Sequence, residues 1–308
     1  MLKGLAITPP VVGRISIGRV VEKAGKRLPE KDDQFTLTTQ VQQRDGWMLH
    51  PLNETLRKAT SGKLRAIPVR FLFNDPGLNL RAEYSLFDRD TGRPVCVGNG
   101  ETCRRAGDAG IEELPCPSPD GCAFGRAGNC KPYGRLNVAI GDEDELGSFI
   151  FRTTSYNSIR TLAARLHYFS AVSGDLLACL QLELKLRGKS TTQSYRSPVY
   201  YVDLTVRSGS TLEETLTKAR EVDGQRRAAG FDQAALDAAA RQGFANGAFE
   251  DSPDERAAVA EEFYPDVAAG PAQSSQEGKA SGDLPAGPPG GLRAKLERKA
   301  AQLDATTP

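Results

Sequence analysis

The stretch between Cys96 and Asn137 constrains the fold of this chain more than any other part of its sequence. Five of the six cysteines lie in it, at positions 96, 103, 116, 122 and 130. The residues between them are mainly Gly, Pro, Asp, Asn and Arg, which offer little apolar surface for a core. A loop of this length is unusual in a compact domain unless something holds it in place. Coordination of a metal ion by cysteine thiolates would supply that cohesion.

The spacing of these cysteines is C-x6-C-x12-C-x5-C-x7-C, without the C-x2-C pairs of common zinc ribbons. We predict that four of the five bind one metal ion: Cys116, Cys122 and Cys130, completed by either Cys96 or Cys103. Sulfur ligands favour a structural Zn²⁺ ion first and an iron–sulfur cluster second, and simple buried or free thiols are the third possibility. A zinc ion closed by four thiolates has no open position, so it would not be catalytic.

The rest of the chain predicts a mixed α+β fold: a β-rich domain, a zinc knuckle inserted at 96–137, and a flexible C-terminal tail. Alternating and β-branched runs predict strands, and apolar residues at helical spacing predict a helix with Ser158 as its N-cap that ends at Gly174. The predicted strands cover 11–21, 35–41, 66–73, 79–88, 147–154 and 198–207, together with the alternating leucines from Leu180 to Leu186. The leucine strand is expected to have a charged outer face and to form a hairpin with 198–207. The domain is expected to span 1–229. Residues 230–308 are Ala-rich and acidic, and they are expected to form a largely disordered tail with short helices.

The overall charge and apolar pattern narrow the functional classes. The formal net charge is only +1 over 308 residues, so bulk charge does not indicate a nucleic-acid-binding protein. The first residues lack the apolar segment of a secretory signal, and no apolar run approaches the roughly 18 residues of a membrane span. We therefore expect a cytoplasmic protein with no membrane partner. No arrangement of catalytic residues is evident, no small-molecule substrate is identified, and we predict that the chain is not an enzyme.

Three blocks of sequence resemble a family of phage and mobile elements. They are GRISIGRVV with LPEKDDQFTLT, then IPVRFLFNDPGLNLRAEYSLFD, and then CVGNGET, PCPSPDGC and CKPYGRLNV. The best-known members of this family are recombination directionality factors, which work with large serine integrases; relatives are also labelled hydrolase or metal-binding proteins. The resemblance covers roughly residues 1–220. It implies a non-enzymatic protein in the bacterial host cell that binds a serine integrase on DNA, with indirect or weak DNA contact of its own, and favours excision of the element.

A second hypothesis is a single-stranded DNA-binding or annealing protein. Basic residues accompany tyrosines in the second half of the domain, which is a combination that can pair phosphate contacts with base stacking. The candidate nucleic-acid residues are Arg152, Arg160, Arg165, Arg187 and Lys189. An ordinary solvated surface over core aromatics explains the same pattern. A metal-dependent hydrolase is a third hypothesis, but it would need a metal with an open coordination position, which four thiolates do not leave.

Overall fold

A computed structural model describes residues 11–23, 26–43, 46–60, 62–108, 110–141, 147–190, 192, 196, 198–244, 256, 259, 260, 263 and 264. Of residues 19–32, the backbone alone is described. The chain divides into two compact units. The first comprises Met1–Val21, Pro29–Glu83 and Pro132–Ser252, and the second comprises Glu22–Leu28, Tyr84–Lys131 and Pro253–Pro308.

Most described elements are strands, which follow one another in runs with helices between the runs, in agreement with a sheet-rich α+β fold. The strands are β1 Val11–Lys23, β2 Lys26–Gln43, β3 Gly46–Leu49, β4 Ala66–Arg70, β5 Leu80–Phe87, β6 Pro94–Gly98, β7 Thr102–Gly107, β8 Gly110–Pro115, β9 Lys131–Ile140, β10 Ser148–Thr153, β11 Leu182–Lys189 and β12 Val199–Val206. The helices are α1 Pro51–Ala59, α2 Pro76–Asn79, α3 Ser118–Gly121, α4 Ala123–Gly128, α5 Tyr156–Ser173, α6 Leu212–Ala228 and α7 Gln233–Phe244. None of these helices has the length and apolarity that crossing a membrane requires.

In the first unit, neighbouring strands follow the order β3-β2-β1-β10-β9, and β4 links β9 to the β11–β12 pair. The β1–β10 pair is parallel, whereas β10–β9 and β11–β12 are antiparallel. The predicted hairpin of 182–189 with 199–206 is therefore confirmed. The inward leucines of β11 are fully or almost fully buried, and α5 packs across β12 over the same core.

Helix α5 forms where the apolar spacing predicts it. Ile159, Leu162, Leu166 and Phe169 are buried, and the helix ends at Gly174, which has a φ of 68°. The predicted N-cap was one turn too late, because Ser155, not Ser158, caps the helix by accepting a hydrogen bond from the backbone N–H of residue 158. The Ser158 hydroxyl instead accepts from the N–H of Val202 at 3.1 Å, so it joins the helix to β12.

The predicted charged outer face of β11 contains one buried acid. Glu183 is 4% exposed and accepts hydrogen bonds from the N–H and the hydroxyl of Ser208 and from the ammonium of Lys185. Burial is the largest single influence on its pKa and raises it. The hydrogen bonds from Ser208 and Lys185 together outweigh burial, so the pKa of Glu183 lies below its ordinary value.

A lowered pKa makes Glu183 a source of pH-dependent stability. Its contribution is present above the unfolded-state pKa of about 4.3 and is lost as the pH falls through the lower folded-state pKa. We expect Glu183→Gln to be less stable than the natural protein at pH 7. The gap in melting temperature should narrow as the pH is lowered towards 3, and thermal unfolding across that range measures it. A gap that is constant or widens with acid would contradict the prediction.

The stretch from Cys96 to Asn137 is more regular than its composition suggests. In the second unit, β6, β7 and β8 follow β5 in an antiparallel meander, and the short helices α3 and α4 come next. Strands and short helices therefore take the place of the predicted loop. Val95 and Val97 lie on one face of the β6–β7 hairpin, and Cys96 and Cys103 lie on the other. Residues from the predicted tail are also packed: within 230–308, α7 buries Ala240 against Phe73 and Leu78 in the first unit.

Candidate functional site

The hairpin of β6 and β7 places two cysteines and an arginine on one face. Cys96 lies opposite Arg105, and Gly98 lies opposite Cys103. Residues two apart on a strand share a face, so these four positions form one cluster. Gly98 makes room for the sulfurs, because a Cβ atom at that position would lie 2.6 Å from the Cβ of Cys103 and 2.9 Å from the Sγ of Cys116.

Backbone hydrogen bonds fix the other three cysteines beside this hairpin. The N–H of Cys116 donates to the carbonyl of Glu101 at 2.8 Å, and the N–H of Cys130 donates to the carbonyl of Gly125 at 2.8 Å. Cys122 caps α4, and its Sγ accepts a hydrogen bond from the N–H of Gly125 at 3.3 Å. A Cβ atom at Gly125 would lie 3.2 Å from the Cβ of Cys130 and 3.3 Å from that of Cys122. Glycine at 125 therefore allows close approach of the two cysteines.

All five predicted cysteines line one small cavity in the second unit. Its volume is about 20 Å³, and Leu86, Arg105 and Phe124 also contribute to its walls. A cavity of this size accommodates about one water-sized particle. The sequence thus correctly identified a set of cysteines that the fold brings together. No disulfide joins them, since every cysteine of the chain is free.

Burial disfavours the thiolate form of two of these cysteines. It is the main reason that the pKa values of Cys103 and Cys130 are raised to about 12, and negative charge on Cys96 adds to both shifts. For Cys130, the further contributions come from Cys116, then Cys122, then Cys103. A group of thiolates could exist here only with compensating positive charge, which a bound cation would provide.

Arg105 is the cation that the fold already supplies. Burial lowers its pKa, but a hydrogen bond with Cys96 and the charges of Cys96, Cys103 and Cys122 outweigh burial and raise it. The guanidinium carbon lies 4.1 Å from the centre of the Phe124 ring. Among the described residues, the buried Nε atom of Arg105 has no hydrogen-bond acceptor. Arg105 was not among the predicted site residues, because no strand is predicted at 102–107 and its shared face with Cys103 depends on that strand.

The arrangement does not by itself form a metal site. In the part of the chain that the structure describes, no group of three or more His, Cys, Asp or Glu side chains is arranged so that it could hold a metal ion. The structure thus shows that the five cysteines lie around one cavity. A bound Zn²⁺ ion or iron–sulfur cluster stays a prediction.

The five candidate nucleic-acid residues lie in the first unit, and their surroundings differ. Arg165 and Arg187 each donate from Nε to the buried carboxylate of Asp203 at 3.1 Å, so they form a structural charge cluster. Lys189 donates to the side-chain oxygen of Asn157 at 2.8 Å. Arg152 is half-buried on β10, and Arg160 is exposed on α5. Asp203 was missed because its pairing joins residues far apart in the sequence.

The exposed face of α5 is the most open part of this region. Tyr156 and Tyr168 are 58% and 48% exposed, and Arg160 lies between them on the same side of the helix. The helix contains no Asp or Glu. The face therefore offers two aromatic rings and positive charge without acidic residues on the same helix.

A family model described as Gp3-like, recombination directionality factor-like, matches residues 12–207. The match begins in β1 and ends one residue after β12, and it includes all five clustered cysteines. Neither the curated proteins nor the solved structures contain a match to the chain.

Proposed function

Because the chain belongs to the Gp3-like, recombination directionality factor-like family, we propose that it is a non-enzymatic accessory factor of site-specific DNA recombination. It binds a large serine integrase on DNA in the bacterial cytoplasm and biases the enzyme towards excision. The observation that carries this proposal is the family match over 12–207, which spans more than half of the chain. The net charge of +1 agrees with a protein-binding mode, because extensive phosphate contacts need a surplus of Lys and Arg.

The proposed mechanism is a shift between two arrangements of the integrase on its sites. A ligand can move such an equilibrium only as far as its affinities for the two arrangements differ. The factor would bind more tightly to integrase paired on attL and attR than to integrase paired on attP and attB. A difference of 100-fold in affinity corresponds to about 2.7 kcal/mol of coupling, which is within the usual range for allosteric effectors.

Within this function, the cysteine cluster would hold a structural Zn²⁺ ion. Three features support the fit: the cysteines line one cavity, Gly98 and Gly125 leave space for their sulfurs, and Arg105 brings a positive charge to them. When bound, the ion would cross-link strands and turns that share little apolar surface. A cavity of about 20 Å³ suits a single ion better than a multi-atom iron–sulfur cluster.

Binding to the integrase tests the proposal. The full chain is titrated into the serine integrase of the same mobile element, pre-bound to a fluorescent attL or attR fragment, and in parallel into the DNA alone. We expect saturable binding to the integrase complexes and little binding to naked DNA at physiological salt. Binding that depends on DNA alone, or no binding to the integrase, would contradict the proposal.

The exposed face of α5 supports a second candidate, a single-stranded DNA-binding or annealing function. Tyr156 and Tyr168 could stack on bases while Arg160 contacts phosphate. In this case Tyr156→Ala should weaken binding of a single-stranded DNA oligonucleotide of arbitrary sequence. The expected loss of affinity is about 5–100-fold, in line with about 1–3 kcal/mol per stacked base. Replacing the exposed Glu213 on α6 by alanine is the matched surface control. No detectable single-strand binding by the natural protein would exclude this candidate.

A further inference from the structure

We propose that one surface of the second unit is a docking site for a helical protein segment that carries two adjacent aromatic residues. The surface is formed by Phe87, Arg89, Gly92 and Lys131, and we call it the aromatic docking site. In the structure, residues 256–264 of this chain occupy the site. A segment of a partner protein with the same pattern of side chains replaces them. This docking does not depend on the role in recombination.

The occupying segment is a short stretch of helix that buries three apolar side chains. Val259, Ala260 and Phe263 have helical backbone, and the N–H of Tyr264 donates to the carbonyl of Ala260 at 2.9 Å. Val259 and Phe263 are four residues apart, so they share one face of the helix. Val259, Phe263 and Tyr264 are all buried, and these three side chains therefore anchor the segment.

Both aromatic rings of the segment have specific neighbours in the docking site. Phe263 meets Phe87 edge-on with ring centroids 4.9 Å apart, and the ammonium of Lys131 lies 4.4 Å from the centre of the Phe263 ring. The guanidinium carbon of Arg89 lies 4.6 Å from the centre of the Tyr264 ring. A cation over the face of a ring is attracted by its π electrons. The site therefore favours an aromatic residue at each of the two positions.

Hydrogen bonds to carbonyl groups fix the direction of the bound segment. The hydroxyl of Tyr264 donates to the carbonyl of Phe87 at 2.7 Å, and the ammonium of Lys131 donates to the carbonyl of Phe263. Phe263 is the last helical residue of the segment, and carbonyls at a helix end lack partners within the helix and carry partial negative charge. The site therefore recognises the end of a helix with a Phe-Tyr pair, and not apolar peptides in general.

The turn that receives the backbone of the segment is held by its own hydrogen bonds. The carboxylate of Asp88 accepts from the N–H groups of Asp90 and Thr91 and from the hydroxyl of Thr91. Gly92 follows with a φ of 64°, and a Cβ atom there would lie 2.2 Å from the carbonyl oxygen of Arg256. None of these hydrogen bonds involves the segment, so we expect the turn to keep its shape when the segment leaves.

The site and its occupant come from different parts of the sequence. The docking site lies within residues 12–207, which the family model matches, whereas residues 256–264 lie beyond the match. A segment attached to the same chain competes at an effective concentration on the order of millimolar. The chain's own segment therefore excludes weakly binding peptides. A partner segment needs the aliphatic residue, Phe and Tyr at the spacing of Val259, Phe263 and Tyr264 to replace it.

Binding of a separate peptide tests the docking site. The probe is a fluorescent peptide of residues 253–267, and the receptor is the full-length chain with both Phe263→Ala and Tyr264→Ala, whose own segment lacks the aromatic anchors. We expect saturable binding to this double variant by fluorescence anisotropy. Binding to the natural protein should be about 10–100-fold weaker, because its own segment competes. The control peptide has the same two substitutions and should not bind.

A change at Gly92 tests whether the peptide binds at the proposed site. Added to the double variant, Gly92→Ala should weaken peptide binding by about 10-fold or more, because its methyl group overlaps the carbonyl of Arg256. Gly174→Ala is the matched control, because Gly174 has a similar φ of 68° and a Cβ atom there meets nothing within 4 Å. Equal peptide affinities after these two changes would contradict the site.

Two further outcomes would overturn the proposal: no binding of the natural peptide to the folded double variant, and equal binding of the natural and control peptides. A dimer of the natural protein in light scattering, formed in place of peptide uptake, would also overturn it, because the site would then serve a second copy of this chain. Circular dichroism establishes that the double variant is folded.

Cleavage of the chain provides a second measurement if the double variant does not fold. A protease recognition sequence is inserted between residues 244 and 256 of the otherwise natural full-length protein, which is cleaved and then mixed with excess labelled peptide. We expect the labelled peptide to replace the cleaved segment, whereas the control peptide does not. Retention of the cleaved segment against excess peptide would show that the segment is a fixed part of the second unit, and so would contradict an exchangeable site.

Discussion

Removal of the proposed zinc ion by a strong chelator is expected to unfold the part of the second unit that surrounds the cysteines. The apolar cluster around the cysteines is small, with Leu86 and Phe124 as its large buried side chains. Structural zinc contributes on the order of 10 kcal/mol to the folding of zinc-finger peptides, which exceeds what so small a core supplies. Hydrogen exchange should show loss of amide protection across 84–131, and re-addition of zinc should restore it.

A single ligand change should reproduce this result without a chelator. We expect Cys122→Ser to lose the metal and the amide protection of 84–131 together. Cys179→Ser is the matched control, because Cys179 is buried in the core of the first unit and belongs to no group of cysteines. The Cys179→Ser protein should lose some stability but keep the proposed zinc ion in the second unit. Unchanged protection of 84–131 after complete removal of metal would contradict the structural role of the ion.

The replacement Phe263→Ala is expected to destabilise the second unit by about 3–5 kcal/mol, the usual cost of truncating a buried phenylalanine. Phe263 is fully buried, its ring meets Phe87 edge-on with centroids 4.9 Å apart, and the ammonium of Lys131 lies 4.4 Å from its centre. Urea unfolding followed by hydrogen exchange measures the loss. This position lies outside the family match, so the prediction concerns a feature of this chain in particular.

Neighbouring contacts provide the control for Phe263→Ala. The hydroxyl of Tyr264 donates to the carbonyl of Phe87 at 2.7 Å, and Tyr264→Phe removes this one hydrogen bond. That variant should lose only about 1 kcal/mol, because a single hydrogen bond has a modest net value. Gly92 allows the backbone of Arg256 to lie close to it, since a Cβ atom at position 92 would be 2.2 Å from the carbonyl oxygen of Arg256. Equal stabilities of Phe263→Ala and Tyr264→Phe would show that the Phe263 ring does not make the predicted contribution to the stability of the second unit.

Local patterns in the sequence were sufficient for α5 and for several strands of the first unit, such as β10, β11 and β12, but not for α1 or β3. In α5 and β11, the residues that recur at the apolar spacing are the buried ones. Leu162 and Leu184 face the core as this spacing predicts. The cap of α5 was misplaced because Ser155 and Ser158 are equally good capping residues. Only the distant contact of Ser158 with Val202 distinguishes them. Non-local pairing of this kind carries no signature in the local sequence.

The sequence indicated which cysteines lie in the candidate site, but not the strands that hold them. Cysteine clustering among Gly and Pro indicated that four of the five thiols would meet, and all five line the same cavity. The β6–β7–β8 meander was missed, because short strands with Gly98 and Gly107 at their ends have weak strand propensity and depend on pairing for their stability. The register that brings Arg105 beside Cys96 follows from that pairing.

The direction of recombination provides the most direct test of the proposed function. The cognate serine integrase is assayed on an attL × attR substrate and on an attP × attB substrate, with increasing amounts of the purified protein. The account predicts that excision from attL × attR rises while attP × attB recombination falls at the same protein concentrations. Unchanged product from both substrates, or an equal change in both, would contradict it, because a factor with equal affinity for the two arrangements shifts neither.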